Sequence, residues 1–276
     1  MSASVAGSDS GQPARRTSSG RRPAQVALRI VAPLAALAVV LSLWQSGLFY
    51  SLFGLQEFTV PKPTTIASTL SDNWSVVWHA QQTTLVEAVV GYLLGSAAGF
   101  GIAVLVTATG VGRRLAPGLA GALNAVPIVA TAPVAVLYLG YGGASKIAIV
   151  TILTAAVMLL NAYKGLNSVD ADHLSLMHSY AATRWQTIGK LRIPSALPFV
   201  FTALKYNVTL ALVGAIIAEF FGGYGGVGIE MIQALSAFSM AQVWAAMLLV
   251  GVTGIVWYEL VTALEWGCSR WYPSAR

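Results

Sequence analysis

Three ionisable side chains, Glu87, Lys205 and Glu219, fall within or at the ends of long apolar runs, where the cost of desolvation makes any charge a candidate for function. Acid–base or nucleophilic chemistry needs titratable groups converging within hydrogen-bond reach. These three stand on separate runs, so no catalytic constellation is expected and the chain reads as a non-enzyme. His79, His173 and His178 have no partners at metal-ligand spacing, and neither a metal nor a cofactor is expected. Gly223, Gly225 and Gly228 spell G-x-G-x-x-G, but no strand precedes them, and the dinucleotide fingerprint is a false match. A G-x-x-x-x-G-K-[ST] phosphate loop is absent from the sequence, so ATP hydrolysis is not expected of this chain. Asn124 and Thr131 share a run with Pro127 and Pro133, which free backbone acceptors for neighbours or a wet cavity. That run reads either as pathway lining or as a local kink. Glu87, near one end of its run, reads either as functional or as reaching water. Lys205, some two turns into its run, can reach the surface with its long stem.

The elements that must position these residues are transmembrane helices. The 276 residues are 56% hydrophobic and 9% charged, against about 25% charged in a soluble domain, and the mean hydropathy is +0.70. The apolar runs have the ~20-residue length of a spanning helix and lack the alternation of a transmembrane strand. Six spans are expected, near 26–48, 84–108, 115–139, 146–163, 198–218 and 241–264, bounded by charge, Pro or Gly. Residues 1–24 are rich in Ser, Gly and Arg and read as a disordered tail. The run that follows is read as a span that stays rather than as a cleaved signal. The transmembrane domain is then 25–268, and 269–276 form a second tail. With both termini inside, the cytoplasmic side receives Arg15, Arg16, Arg21, Arg22, Arg29, Arg113, Arg114, Lys164, Arg184, Lys190, Arg192, Arg270 and Arg276. Lys62 and Lys146 lie outside, in agreement with the positive-inside rule. The net charge of +6 is therefore a topology signal and a contact with anionic lipid, and nucleic acid is not an expected partner. Cys268 is the single cysteine and forms no internal disulfide.

The loops differ in kind. Residues 49–83 are expected outside, with a short helix after VPKPTT capped by Thr64 or Thr65, and Trp74, Trp78 and Tyr50 in an interfacial belt. Residues 164–197 form the largest inner loop. From Asp170 onward, Leu174, Leu176, Met177, Tyr180 and Ala181 give a short helix an apolar face, with Asp170 and Asp172 at its start. A second short helix begins at Thr183, three before Gln186 in the capping-box spacing, and is expected to close before Pro194. Two helices joined near Ala181 and Ala182 make a bent knob that another protein could grip. Gly91, Gly95 and Gly99 stand four apart on one face of the second span, a packing surface for a neighbouring helix.

The order of six spans and the ending SYAATRWQTIGKLRIPSALP resemble the inner-membrane permease subunit of binding-protein-dependent ABC importers, in the nitrate, sulfonate, taurine and pyrimidine-precursor or riboflavin group. TTLVEAVVGYLLGSAAGF, NAVPIVATAPVAVLYLGYGGASKI, ALPFVFTALKYNVTLALVGAIIAEFFGG and GGVGIEMI fall where that group has similar blocks, so the resemblance covers roughly 60–268. It implies an all-α type I importer permease fold in a bacterial inner membrane. It also implies separate ABC ATPase subunits, an extracytoplasmic substrate-binding protein and a second permease, self or paralogue. The family's loop motif, E-A-A-x-x-x-G followed by I-x-L-P, would place its Glu at Ser175, its two Ala at Leu176 and Met177, and its Gly at Ala181. The close match runs from Ser179 to Pro198. The resemblance makes Ser175, Leu176, Met177, Ser179, Tyr180, Ala181, Arg184, Trp185 and Pro194 the ATPase-coupling loop. Glu87, Asn124, Thr131 and Glu219 are candidates for pathway or gate, Glu219 by its place at AEFFGGYGGVG. ALPFVFTALKYNV and AEFFGG look most like permeases for flat heterocycles such as a hydroxymethylpyrimidine thiamine precursor or riboflavin; nitrate, taurine or alkanesulfonate is the alternative cargo. A reading of another class, an ATPase-independent secondary carrier, predicts internal repeats and mid-membrane charged pairs. Neither is visible in the sequence.

Overall fold

The computed structural model describes residues 23–111, 118, 121, 122 and 127–269, all helix, turn or irregular chain with no strand among them. Asn124, Arg113, Arg114 and most of the expected N-terminal tail lie outside the described residues. The chain separates into two units, Met1–Leu55 and Gln56–Arg276. In the first, α1 (Pro23–Gln45) covers most of the expected first span and carries Pro33 inside, and α2 (Leu48–Phe53) follows it after Gly47.

The second unit contains α3 (Pro63–Asp72), α4 (Trp74–Thr109), α5 (Ile128–Leu139), α6 (Gly143–Leu166), α7 (Ala171–Ser179), α8 (Arg184–Thr187), α9 (Ile193–Phe220), α10 (Val227–Ser236) and α11 (Met240–Ser269). Four described stretches are long and apolar enough to cross a membrane: Trp74–Thr109, Gly143–Leu166, Arg184–Phe220 and Met240–Cys268. The expected first and third spans are represented by the shorter apolar helices Val31–Gln45 and Val129–Leu139.

Two local expectations are corrected. The cap of α3 is Lys62, without a side-chain bond, and Thr64 and Thr65 lie inside the helix. Pro63 at the first position fixes φ and has no N–H to satisfy, so a hydroxyl cap is not needed. The helix that carries the second span begins at Trp74, inside the stretch expected to be an outer loop, and Trp74 and Trp78 stack one turn apart at 5.5 Å. The polar stretch HAQQTT that marks a loop by composition is helical because Ala80, Gln81 and Thr84 are buried against other helices. At ~1.5 Å per residue α4 is about 54 Å long and outruns the ~30 Å hydrocarbon core.

Apolar burial gives little drive between helices in lipid, so close backbone approach and polar contacts must hold the bundle. Gly91, Gly95 and Gly99 lay α4 directly on α6. A Cβ at Gly91 would stand 2.6 Å from Val150 Cβ, and one at Gly95 would meet Thr154 Oγ1 and the carbonyl of Thr151. Beside this seam, Asn207 Nδ2 of α9 donates to Ser96 Oγ at 3.1 Å and to the Thr154 carbonyl at 3.0 Å. Gln81 Nε2 donates to Thr253 Oγ1 of α11 at 2.8 Å, and Tyr92 meets Trp257 edge to face at 5.0 Å. Gly95→Ala should therefore lower stability in detergent by about 1–3 kcal/mol through overpacking. Gly101→Ala, with nothing within 4 Å of the added carbon, should be neutral or stabilising by up to about 1 kcal/mol. Thermal unfolding of the two variants side by side checks the seam.

Candidate functional site

At one end of the bundle, which the expected topology makes cytoplasmic, the chain leaves α6 and forms the knob. None of α7 is buried. Ser175, Leu176 and Ser179 are exposed, Met177 is half-buried, and Tyr180 and Trp185 stand 75% and 63% exposed. A helix this short and solvated needs firm ends. Ala181 N–H donates to the His178 carbonyl at 2.9 Å and Ala182 N–H to that of Met177 at 3.0 Å, the paired bonds of a Schellman stop. Ala181 takes φ 50 to make them. This left-handed geometry strains an L-residue by about 1–2 kcal/mol. Thr183 Oγ1 then accepts from Gln186 N–H at 3.3 Å while Gln186 Oε1 accepts from Thr183 N–H at 2.8 Å, completing the expected capping box.

The helix that starts there does not close before Pro194. It continues through a wider, π-type turn at Ile188–Arg192 into α9, with half-buried Pro194 in the first turn of that segment and Pro198 inside it. The wider turn takes up the register change where proline supplies no N–H and would crowd the preceding carbonyl. Arg184 to Phe220 is accordingly one rod of 37 residues, about 55 Å long at ~1.5 Å per residue. Arg192 fastens its lower part to the end of α6, donating to the Leu166 carbonyl at 2.9 Å and to Asn167 Oδ1 at 3.1 Å. Lys205 pairs with Glu265 of α11 at 2.5 Å.

The other end of the rod carries Glu219, which is 1% exposed. Its Oε1 accepts from Thr84 Oγ1 at 2.7 Å and its Oε2 from Gly228 N–H at 2.6 Å, while Val227 N–H donates to Thr84 Oγ1 at 2.8 Å. Carboxylate and hydroxyl together serve the first N–H groups of α10, where the helix dipole favours a negative charge. Gly226 has φ 110, and a Cβ there would collide with the Glu219 carboxyl group. The glycine loop can lie on Glu219 because it has no side chain at that point.

Beside this clamp lies the group that the topology reading placed on the outer side, at the start of the fourth span. Lys146 sits in the first turn of α6, 2% exposed, with its Nζ 3.0 Å from Glu87 Oε1 and 3.3 Å from the Gly225 carbonyl. Glu87 is a buried ion-pair partner, 5% exposed. Glu87–Lys146 and Lys205–Glu265 are ion pairs between helices that were not visible in the sequence. Partners 59 or 60 residues apart leave no local spacing to detect. Thr84, Gln81, Asn207 and Thr154 were missed for the same reason, since each is an ordinary polar residue until its helix finds a neighbour.

A cavity of about 720 Å3 opens beside the cluster, lined by Glu87, Lys146, Glu230, His79, Tyr141 and Tyr224 among others. Thr131 lies half-buried in the first turn of α5 and does not line it. The described structure thus separates two features: a solvated knob at one end and a clamped glycine loop over a polar cavity at the other, joined by one helix.

Several helices of this length and apolarity define a polytopic membrane protein. Residues 91–265 match the model of the binding-protein-dependent transport system inner membrane component family, and the chain belongs to that family. It is 30% identical to a probable ABC transporter permease protein of Haemophilus influenzae over 80% of this chain and 90% of that one. It is 29% identical to the riboflavin transport system permease protein of Chloroflexus aurantiacus, covering 86% and 89%. It is 28% identical to the formylaminopyrimidine transport permease protein of Halalkalibacterium halodurans, covering 76% and 84%. Among solved structures, an inward-facing conformation of the MetNI methionine ABC transporter superposes with a TM-score of 0.56, at 18% identity, over 70% of this chain and 94% of that one. The chain is thus an ABC importer permease of the inner membrane, with the helical fold of that structure.

Proposed function

We propose that this permease works by alternating access, with the knob of residues 164–197 held by a separate ATPase and Glu219 at the extracytoplasmic gate. The observation that carries this reading is the unbroken helix from Arg184 to Phe220. A push on Tyr180, Arg184 or Trp185 is delivered through that helix to the carboxylate on which the glycine loop rests. Each state is selected by contacts that the other state lacks. ATP binding draws the knobs of two permease subunits together and opens the outer mouth to a docked binding protein, and hydrolysis resets it. The second subunit is another copy or a paralogue.

The cargo is a flat heterocycle of the riboflavin or pyrimidine-precursor kind. Two relatives with such names support this choice, as does a cavity with Tyr141 and Tyr224 on its wall. An aliphatic sulfonates permease of Bacillus subtilis is 28% identical, so sulfonate is the competing cargo. Reconstitution of the chain with its neighbouring ATPase and binding protein should give ATP-dependent uptake of riboflavin or an aminopyrimidine, and none of nitrate or ethanesulfonate. Uptake of the anions alone would reverse the assignment.

A further inference from the structure

The long helices present two kinds of exposed face. On α4 every residue left exposed from Val86 to Leu105 is Val, Leu, Ile or Ala, which suits a side turned to lipid. On α9 the exposed positions from Thr202 onward are Thr202, Tyr206, Thr209, Val213 and Phe220. Steps of three, four and seven residues keep these five in one row along one side of the helix. The row is polar up to Thr209 and apolar from Val213 to Phe220.

Phe220 marks the end that the expected topology places outside. At ~1.5 Å per residue Thr209 lies about 16 Å from it and Thr202 about 27 Å, both within a hydrocarbon core of ~30 Å. A threonine can face lipid by bonding to its own helix, as Thr202 Oγ1 does in donating to the Pro198 carbonyl at 2.8 Å. An ion pair has no such resort. Lys205 and Glu265 join α9 to α11 within this stretch with side chains 22% and 30% exposed. Tyr258 is exposed two turns from Glu265 on the same side of α11. Charge left open at this depth is costly in hydrocarbon and belongs where protein encloses water. Farther out, α9, α10 and α11 enclose an apolar groove of about 750 Å3, lined by Ile216, Phe220, Met247 and Gly251 among others.

We infer that the side shared by α9 and α11 is a wall of the aqueous pathway, wet from Thr202 to Thr209 and dry from Val213 outward. On the permease reading above, on which this rests, a second subunit closes the pathway from the opposite side. Tyr206 and Thr209 are then groups that a passing cargo meets, with the Lys205–Glu265 pair as the fixed charge beside them. Water reaches this wall from the knob end while the apolar outer part stays shut. Closure of the ATPase takes that access away.

The test measures how fast a charged, membrane-impermeant methanethiosulfonate reagent modifies single cysteines in a Cys268→Ser background. Inside-out vesicles carrying the full chain with its co-expressed ATPase turn the cytoplasmic side to the reagent. Tyr206→Cys and Thr209→Cys should react about 10-fold or more faster than Leu94→Cys on the apolar face of α4, because the reagent attacks thiolate, which forms in water and not in hydrocarbon. Val213→Cys should stay slow. A non-hydrolysable ATP analogue should slow Tyr206→Cys and Thr209→Cys toward the Leu94→Cys rate. All four positions are exposed, so no substitution opens a void in the bundle, and monodisperse elution of each variant checks that it is folded. Thr209→Cys no faster than Leu94→Cys, Val213→Cys as fast as Thr209→Cys, or rates that ignore the analogue would overturn the assignment. Co-purification of the ATPase is followed in the same preparations. If it persists while the thiols stay unreactive, the wall fails and the permease reading stands; if the ATPase never assembles with wild type, that reading fails first.

Discussion

Lys146→Met should cost about 3–5 kcal/mol of stability, because it strands the Glu87 carboxylate in a buried place without its cation. The geometry makes this one of the largest single effects expected in the chain. Lys146 and Glu87 are 2% and 7% exposed at the side chain, 3.0 Å apart. The substitution also removes the donor to the Gly225 carbonyl, so the glycine loop should loosen with the pair. Restoring neutrality with Glu87→Gln/Lys146→Met should recover stability to within about 1–2 kcal/mol of wild type, since a buried pair is worth little against uncharged groups of similar volume. A double-mutant cycle in detergent unfolding isolates the coupling. A single Lys146→Met variant within about 0.5 kcal/mol of wild type would show that the pair is not formed in the membrane.

The second large effect concerns the knob. Replacing Tyr180, Arg184 and Trp185 together by Ala should abolish ATPase association while leaving the bundle folded. None of the three is buried, so folding does not depend on them. Aromatic and arginine side chains on a protruding surface are the residues that dominate protein interfaces, at about 1–2 kcal/mol or more each. Their combined loss corresponds to about 100-fold or more in affinity. Detergent co-purification of the neighbouring ATPase with wild type and variant reads this directly. Retention of the ATPase by the variant would move the docking surface away from Tyr180–Trp185.

The two ends of the molecule differed in how far they could be read from sequence. The knob was legible because its signals are local. The Thr183–Gln186 capping box is written in four consecutive residues, and the apolar face of the first knob helix between Leu174 and Ala181. Its lower boundary was misplaced because Pro194 marks a helix end only where the preceding turn is regular, and the π-type turn at Ile188–Arg192 absorbs it. The outer cluster was half legible. Glu87 and Glu219 stood out as charges in apolar surroundings, yet the meaning of each depends on a partner on another helix. Lys146 was placed at the outer edge of the fourth span, but its burial was not foreseen, because a lysine beside glycines at the edge of an apolar run looks solvent-facing. Its burial follows from α4 lying so close to α6, which the spacing of Gly91, Gly95 and Gly99 implied without naming what the approach would enclose.

Motion carried by one rigid helix from the knob to the gate should register at the glycine loop. The most direct measurement places a fluorescent label at Tyr224→Cys, 94% exposed in the glycine loop, with exposed Cys268 replaced by Ser. The labelled permease is assembled with its ATPase, and the emission is followed on ATP addition. To keep the ATPase present when the knob is altered, the weaker single variant Trp185→Ala is compared at saturating ATPase. Wild type should show an ATP-dependent change in the label's environment, and with the knob variant the bound ATPase should still bind and hydrolyse ATP while that change is strongly reduced. A gate that responds equally in both, or one that ignores ATP while the assembled ATPase hydrolyses it, would contradict transmission through Arg184–Phe220.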